Sequence, residues 1–162
     1  IFSRDNFTQK IFSSSQKNLI LYNSLIKYIQ LGEYKFLHLI LGGRYMGKES
    51  YARNLYKNFA EFYNLEIDSP EKISRSGLIT NLHMGVKFLL KEKINSLEFF
   101  KSKLEILRES VIIGNEICSG VIPIDEFSRK WRDETGNLYQ FLAREADIVD
   151  RIFAGLPLRL KG

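Results

Sequence analysis

The sequence predicts an α/β fold: a small parallel β-sheet with flanking helices, preceded by an N-terminal helical extension. Three observations carry this reading. Short apolar runs at 36–41, 111–113 and 148–153 alternate with stretches of helical periodicity. The first run stops at a glycine pair followed by a lysine-bearing turn, Gly42-Gly43-Arg44-Tyr45-Met46-Gly47-Lys48. With 162 residues at 44% hydrophobic content the chain buries a real core, which excludes a disordered protein.

The elements follow in order. Leu19, Tyr22, Leu25, Ile26 and Ile29 recur at helical spacing, with Ser15 able to cap that helix and Gly32 to end it. Residues 1–35 therefore read as an extension with one amphipathic helix, packed on the main domain or on a second copy of the chain. Residues 36–162 read as the α/β domain. Residues 36–41 form a short apolar run bounded by glycine, a buried strand. Tyr51, Leu55, Tyr56, Phe59, Phe62 and Tyr63 predict a helix of about four turns. Leu65–Ile67 is a weak candidate strand. Ser69-Pro70 looks like an N-cap with Pro at the first helical position, opening a helix that carries Leu78, Ile79, Leu82, Val86, Leu89 and Leu90. Asn95 and Glu98 make a weak capping box for a further helix with Leu97, Phe100, Leu104 and Leu107 inward. Residues 111–113 are the second strand, ending at Gly114-Asn115-Glu116. Residues 125–145 read as helix, broken near Gly136. Ile148 to Phe153 is the third strand, halted by Gly155 and Pro157.

Several function classes are excluded. One cysteine makes no internal disulfide, and two distant histidines make no zinc centre. No run of 18 apolar residues is present, so no membrane span is expected, and no secretory signal is visible. A cytoplasmic protein is the economical expectation. The net charge is +5, but the basic residues are dispersed without a cluster, so nucleic acid is not an expected partner.

Gly42 to Lys48 fits G-x-x-x-x-G-K, following a strand and opening a helix as that motif requires. Backbone N–H groups at Gly42, Gly43, Arg44, Tyr45, Met46 and Gly47 can cradle phosphate oxygens. The helix N-terminus adds positive potential, and Lys48 reaches the β- and γ-phosphates. Where this loop class carries Ser or Thr to hold Mg²⁺, the chain has Glu49. That carboxylate either ligates Mg²⁺ or repels the phosphates. Glu116, at the carboxyl end of the second strand, is a further candidate Mg²⁺ ligand. Arg129 and Arg132 share a helix face and either grip a phosphate or form surface ion pairs. His83 reads as a hydrogen-bonded core histidine, and Cys118 as a poor nucleophile.

Further motifs appear in order. Val111-Ile112-Ile113-Gly114-Asn115-Glu116-Ile117-Cys118-Ser119-Gly120-Val121-Ile122-Pro123 resembles a strand and loop of the form V-x-x-x-N-E-V-G-x-G-I-V-P. Arg129-Lys130-Trp131-Arg132-Asp133 is similar to R-x-[FY]-R-D. The stretch from Gly136 to Ala143 is similar to G-x-x-N-Q-x-[LI]-A, and Ala154-Gly155-Leu156-Pro157-Leu158 to [AS]-G-[LI]-P-[LV]. Leu78-Ile79-Thr80-Asn81-Leu82 is similar to M-V-T-N-L. These motifs are those of the adenosylcobinamide kinase / adenosylcobinamide-phosphate guanylyltransferases of cobalamin biosynthesis, and the resemblance covers about residues 36–161. It implies a P-loop nucleoside triphosphate hydrolase-like domain using ATP or GTP with Mg²⁺ on a corrinoid acceptor, adenosylcobinamide. It also implies a homo-oligomer.

Three departures matter: Glu49 for the hydroxyl residue, Cys118 for a glycine, and a short segment between Tyr63 and Leu78. The guanylylated histidine of the family lies in a longer segment that is missing here. The implied activity is therefore the kinase half, with Lys48, Glu116, Arg129 and Arg132 as its catalytic residues. The alternative is a degenerate nucleotide-binding relative without turnover.

Overall fold

Among the described residues, β1 (His38–Gly42) runs through the middle of a six-stranded sheet of order β2-β3-β4-β1-β5-β6. The computed structural model describes residues 36–56 and 59–162, and Phe36–Gly162 forms one compact unit. The amphipathic helix expected near residues 15–32 lies outside the described residues. β1 pairs in parallel with both β4 (Val111–Asn115) and β5 (Ile148–Phe153). These strands are continuous apolar runs because helices cover both of their faces. Leu37, Leu39, Ile112 and Val149 point to one face. There they meet Leu82, Val86 and Leu89 of α2 (Leu82–Lys91), Phe100 of α3 (Ser96–Ser102), and Leu138 and Leu142 of α5 (Glu126–Glu145). Burying each such side chain contributes roughly 1.5–3 kcal/mol. The opposite face receives α1 (Lys48–Leu55), which meets His38 of β1 and Asp150 of β5.

Several expectations are corrected. The four-turn helix through Tyr63 stops after Leu55, and Phe62–Asn64 is instead β2. Tyr63 pairs with Ile79 of β3 (Leu78–Thr80), and its hydroxyl accepts the Arg75 N–H at 3.3 Å. Aromatic residues at accidental helical spacing were claimed by a strand ladder, which suits their shape better. The weak strand at Leu65–Ile67 is displaced to that position, though the Leu65 N–H still bonds the Thr80 carbonyl at 3.1 Å. Ser69 does cap, accepting the Glu71 N–H at 3.3 Å, but only the single 3₁₀ turn Pro70–Lys72 follows. Leu78 and Ile79 therefore lie in β3, and the long helix begins only at Leu82. Gly77 permits this, since a Cβ there would lie 2.3 Å from the Glu61 carbonyl oxygen. The Asn95 cap is confirmed by its bond from the Glu98 N–H at 3.0 Å. The helix it opens is divided into α3 and α4 (Leu104–Leu107). α5 runs unbroken through Gly136, which lies against the Cys118 sulfur.

Gly155 and Pro157, expected to halt the third strand, instead turn the chain into a further strand, β6 (Leu156–Lys161), antiparallel to β5. Pro157 is tolerated there because β6 is the last strand of the described sheet. The sheet is thus mixed, with five parallel strands and one antiparallel. Gly114 of β4 marks one close approach: a Cβ at that position would lie 2.3 Å from the Tyr139 hydroxyl. That hydroxyl donates to the Asn115 carbonyl at 2.9 Å, tying α5 to the end of β4.

Candidate functional site

The carboxyl ends of β1, β3 and β4 bring the candidate residues to one edge of the sheet, where ligands of parallel α/β folds bind. The loop from Gly42 to Gly47 leaves β1 and enters α1 with Lys48 as its first helical residue. Gly47 has φ +86°, a left-handed conformation that favours glycine at this N-cap. Gly42 abuts the Ile152 carbonyl, where a Cβ would lie 2.4 Å from the oxygen. Lys48 is buried, and its Nζ donates to the Gly43 carbonyl across the loop. Burial pushes its ammonium pKa down, and the nearby Glu116 carboxylate partly opposes that. Arg44 lies over the ring of Tyr45, which is exposed.

Glu116 follows β4, the neighbour of β1, and its N–H bonds the Gly42 carbonyl at 3.0 Å. Its carboxylate is gripped by the Arg151 guanidinium, at 2.8 Å from Nε and 2.9 Å from Nη2. Arg151 was not anticipated. Glu49 turns along α1 to Arg53, with Oε1 2.8 Å from Nη2 and both side chains half exposed. Its carboxylate thus has a partner one helical turn away. Arg129 and Arg132 are spent on the segment after β4. Arg132 donates to the carbonyls of Cys118, Val121 (3.0 Å) and Gly120 (3.4 Å), and Arg129 to those of Pro123 and Ile124. Both clamp residues 118–124 through backbone carbonyls, and Arg129 also acts electrostatically on Asp125.

His83 lies nearer the site than its core reading implied. The imidazole is buried at the start of α2, and its Nε2 accepts from the Asn115 side-chain amide at 3.1 Å. With that assignment Nδ1 carries the proton, and it has no partner among the described residues. Burial and the positive charges of Lys48, Arg44 and Lys87 push its pKa down to about 4. Trp131 stacks on the ring and donates its indole N–H to the His83 carbonyl at 2.6 Å. Cys118 is half-buried and donates to the Arg132 carbonyl, and burial raises its pKa, so it is a weak nucleophile. It separates two shallow grooves. One, of about 460 Å³, is lined by Arg132, Asp133, Asn137 and Gln140; the other, of about 360 Å³, by Glu116, Ser119, Tyr139 and Arg151.

Among the described residues no three metal-ligating side chains converge. Mg²⁺ at a nucleotide site, however, is commonly held by one or two carboxylates with substrate phosphates and water. A carboxylate has about four lone-pair positions, and the Arg151 fork uses one on each oxygen of Glu116. Glu116 therefore fits such an ion as a single protein ligand. Glu49 fits only if it leaves Arg53.

No helix among the described residues is long and apolar enough to cross a membrane. Comparison with known proteins adds the family. Residues 76–160, half of the chain, match the model described as cobinamide kinase / cobinamide phosphate guanyltransferase. The match begins after the phosphate loop, so the loop stands on its own geometry. The chain is also 42% identical over 52 residues to the bifunctional adenosylcobalamin biosynthesis protein CobP of Pseudomonas aeruginosa. That alignment covers 32% of this chain and 30% of the relative, so the chain spans under a third of the length of the relative it matches. On the strength of the 76–160 match, the chain belongs to the cobinamide kinase / cobinamide phosphate guanyltransferase family of cobalamin biosynthesis.

Proposed function

We propose that this chain is a nucleotide-dependent kinase that phosphorylates the hydroxyl of adenosylcobinamide. The observation that carries the reading is Lys48, buried at the N-terminus of α1 under a glycine loop, with Glu116 on the adjacent strand end. Phosphoryl transfer is mostly positioning and charge neutralisation, so this small set suffices. The loop amides from Gly43 to Lys48 hold the phosphates. Lys48 exchanges the Gly43 carbonyl for the β- and γ-phosphate oxygens. Glu116 would hold Mg²⁺, which when bound would neutralise phosphate charge. The acceptor oxygen forms the new bond to the γ-phosphorus, the bond to the bridging oxygen breaks, and the nucleoside diphosphate leaves. The hydroxyl proton passes to water. Arg129 and Arg132 serve by holding residues 118–124 beside the site. ATP and GTP are both compatible with this loop. The protein acts in the cytoplasm, as a homo-oligomer by resemblance to its relatives.

A second reading is favoured by Glu49, which stands where the metal-holding hydroxyl belongs: a nucleotide-binding relative without turnover. Titration calorimetry with ATP and GTP, with and without Mg²⁺, is paired with an assay for phosphorylated adenosylcobinamide. Binding with product supports the kinase, and binding without product the second reading. No binding overturns both.

A further inference from the structure

α1 brings little apolar surface to the sheet. Of its eight residues only Lys48 and Ala52 are buried, with Tyr56 at its C-cap. Apolar burial alone therefore leaves the helix free to rotate, and polar contacts must fix it. Asp150 supplies them. It is 1% exposed, on the face of β5 that α1 covers. One oxygen accepts the Tyr51 hydroxyl of α1 at 2.7 Å and Nε2 of His38 at 2.9 Å. With Nε2 donating, Nδ1 of His38 accepts the Tyr56 hydroxyl at 2.7 Å. One carboxylate thus holds α1 at its middle, directly through Tyr51, and at its C-terminal end, by relay through His38 to Tyr56.

The same carboxylate takes the Arg159 guanidinium of β6, through Nε and through Nη2 at 3.2 Å. The β5–β6 turn meanwhile touches the phosphate loop itself. The Gly155 N–H donates to the Met46 carbonyl at 3.0 Å, and the Ala154 N–H to the Met46 sulfur at 3.4 Å. The hairpin is therefore joined to the loop at its turn and to the loop helix through Asp150.

We propose that Asp150 is a positioning residue for nucleotide binding: it fixes the rotation of α1 and so aims Lys48 and the loop amides at the phosphates. This rests on the reading of residues 42–48 as a nucleotide loop. The test uses the full chain, with Asp150→Asn and Tyr51→Phe as variants. Amide hydrogen exchange is measured at residues 43–50 and, for comparison, at 111–114 of β4. ATP and GTP affinities are measured by calorimetry. Both variants should exchange about tenfold faster at 43–50 with β4 unchanged, and bind nucleotide about five- to fiftyfold more weakly. Exchange at 43–50 like the parent's, or acceleration equal to that in β4, would overturn the proposal, because the latter reports only lost stability. If Asp150→Asn does not fold, Tyr51→Phe, which deletes one hydroxyl, decides alone. If the parent binds neither nucleotide, the kinase reading fails, and the exchange data still decide whether Asp150 holds the loop.

Discussion

Replacing His83 with glutamine should flatten the acid limb of the stability curve. The imidazole is 6% exposed, and its three cationic neighbours oppose a further positive charge. Its pKa falls to about 4 in the folded chain, from 6.5 for the free group. A lowered histidine pKa means that the unfolded chain takes the proton first. Stability is therefore complete above pH 6.5, declines between 6.5 and 4, and levels off below. Integrating over that window gives a loss of about 2 kcal/mol at pH 5 and about 3 kcal/mol at the floor. Burial also lowers the pKa of His38, despite the raising effect of Asp150, so it erodes stability in the same direction. That part persists in the variant. Urea denaturation at half-unit steps from pH 7.5 to 4.5 isolates the His83 share as the difference in slope. Glutamine can retain a bond to Asn115 but does not titrate. Identical slopes in parent and His83→Gln would refute the reasoning and mean that His83 protonates as readily folded as unfolded.

Three further outcomes are expected. Lys48→Ala should abolish nucleotide affinity in calorimetry while leaving the far-ultraviolet circular dichroism unchanged. Glu49→Ser should strengthen metal-free nucleotide binding by less than about tenfold, because a carboxylate 4 Å from a phosphate costs roughly 1 kcal/mol in water and Arg53 already offsets part of its charge. An unchanged affinity would mean that Glu49 does not act on the phosphates. Arg132→Ala releases three carbonyls of residues 118–121, so limited proteolysis should cut there first, with little change in the melting temperature.

The legible parts of the fold were those with one dominant local signal. β1, β4 and β5 read correctly because two-sided burial makes unbroken apolar runs. β2 and β3 have three residues each, too few to show alternation. Leu78 and Ile79 merged with Leu82 and Val86 into a false helical face. β6 did carry a period-two signal in Leu156, Leu158 and Leu160, but Gly155 and Pro157 suggested a stop. In the site, Lys48 and Glu116 were readable because strand ends and helix starts have local marks. The partners that hold other side chains in place were not. Arg151 meets Glu116 across 35 residues, Asn115 meets His83 across 32, and Asp150 meets His38 across 112. Only strand order and register bring such pairs together.

The contact between Gly114 and Tyr139 has a consequence for how this sequence can diverge. The phenol fills the volume that any larger residue at 114 would need, and its hydroxyl closes the end of β4. Neither position can drift alone. Alanine at 114 collides with the ring, and a small residue at 139 leaves a hole beside the glycine and takes one hydrogen bond from the Asn115 carbonyl, which keeps the Ile117 N–H at 2.9 Å. The tolerated route is a joint exchange, a smaller side chain at 139 arriving with alanine at 114. Across descendants of this chain the two sites should therefore covary, and in a double-mutant cycle the pair should cost less than the sum of its parts.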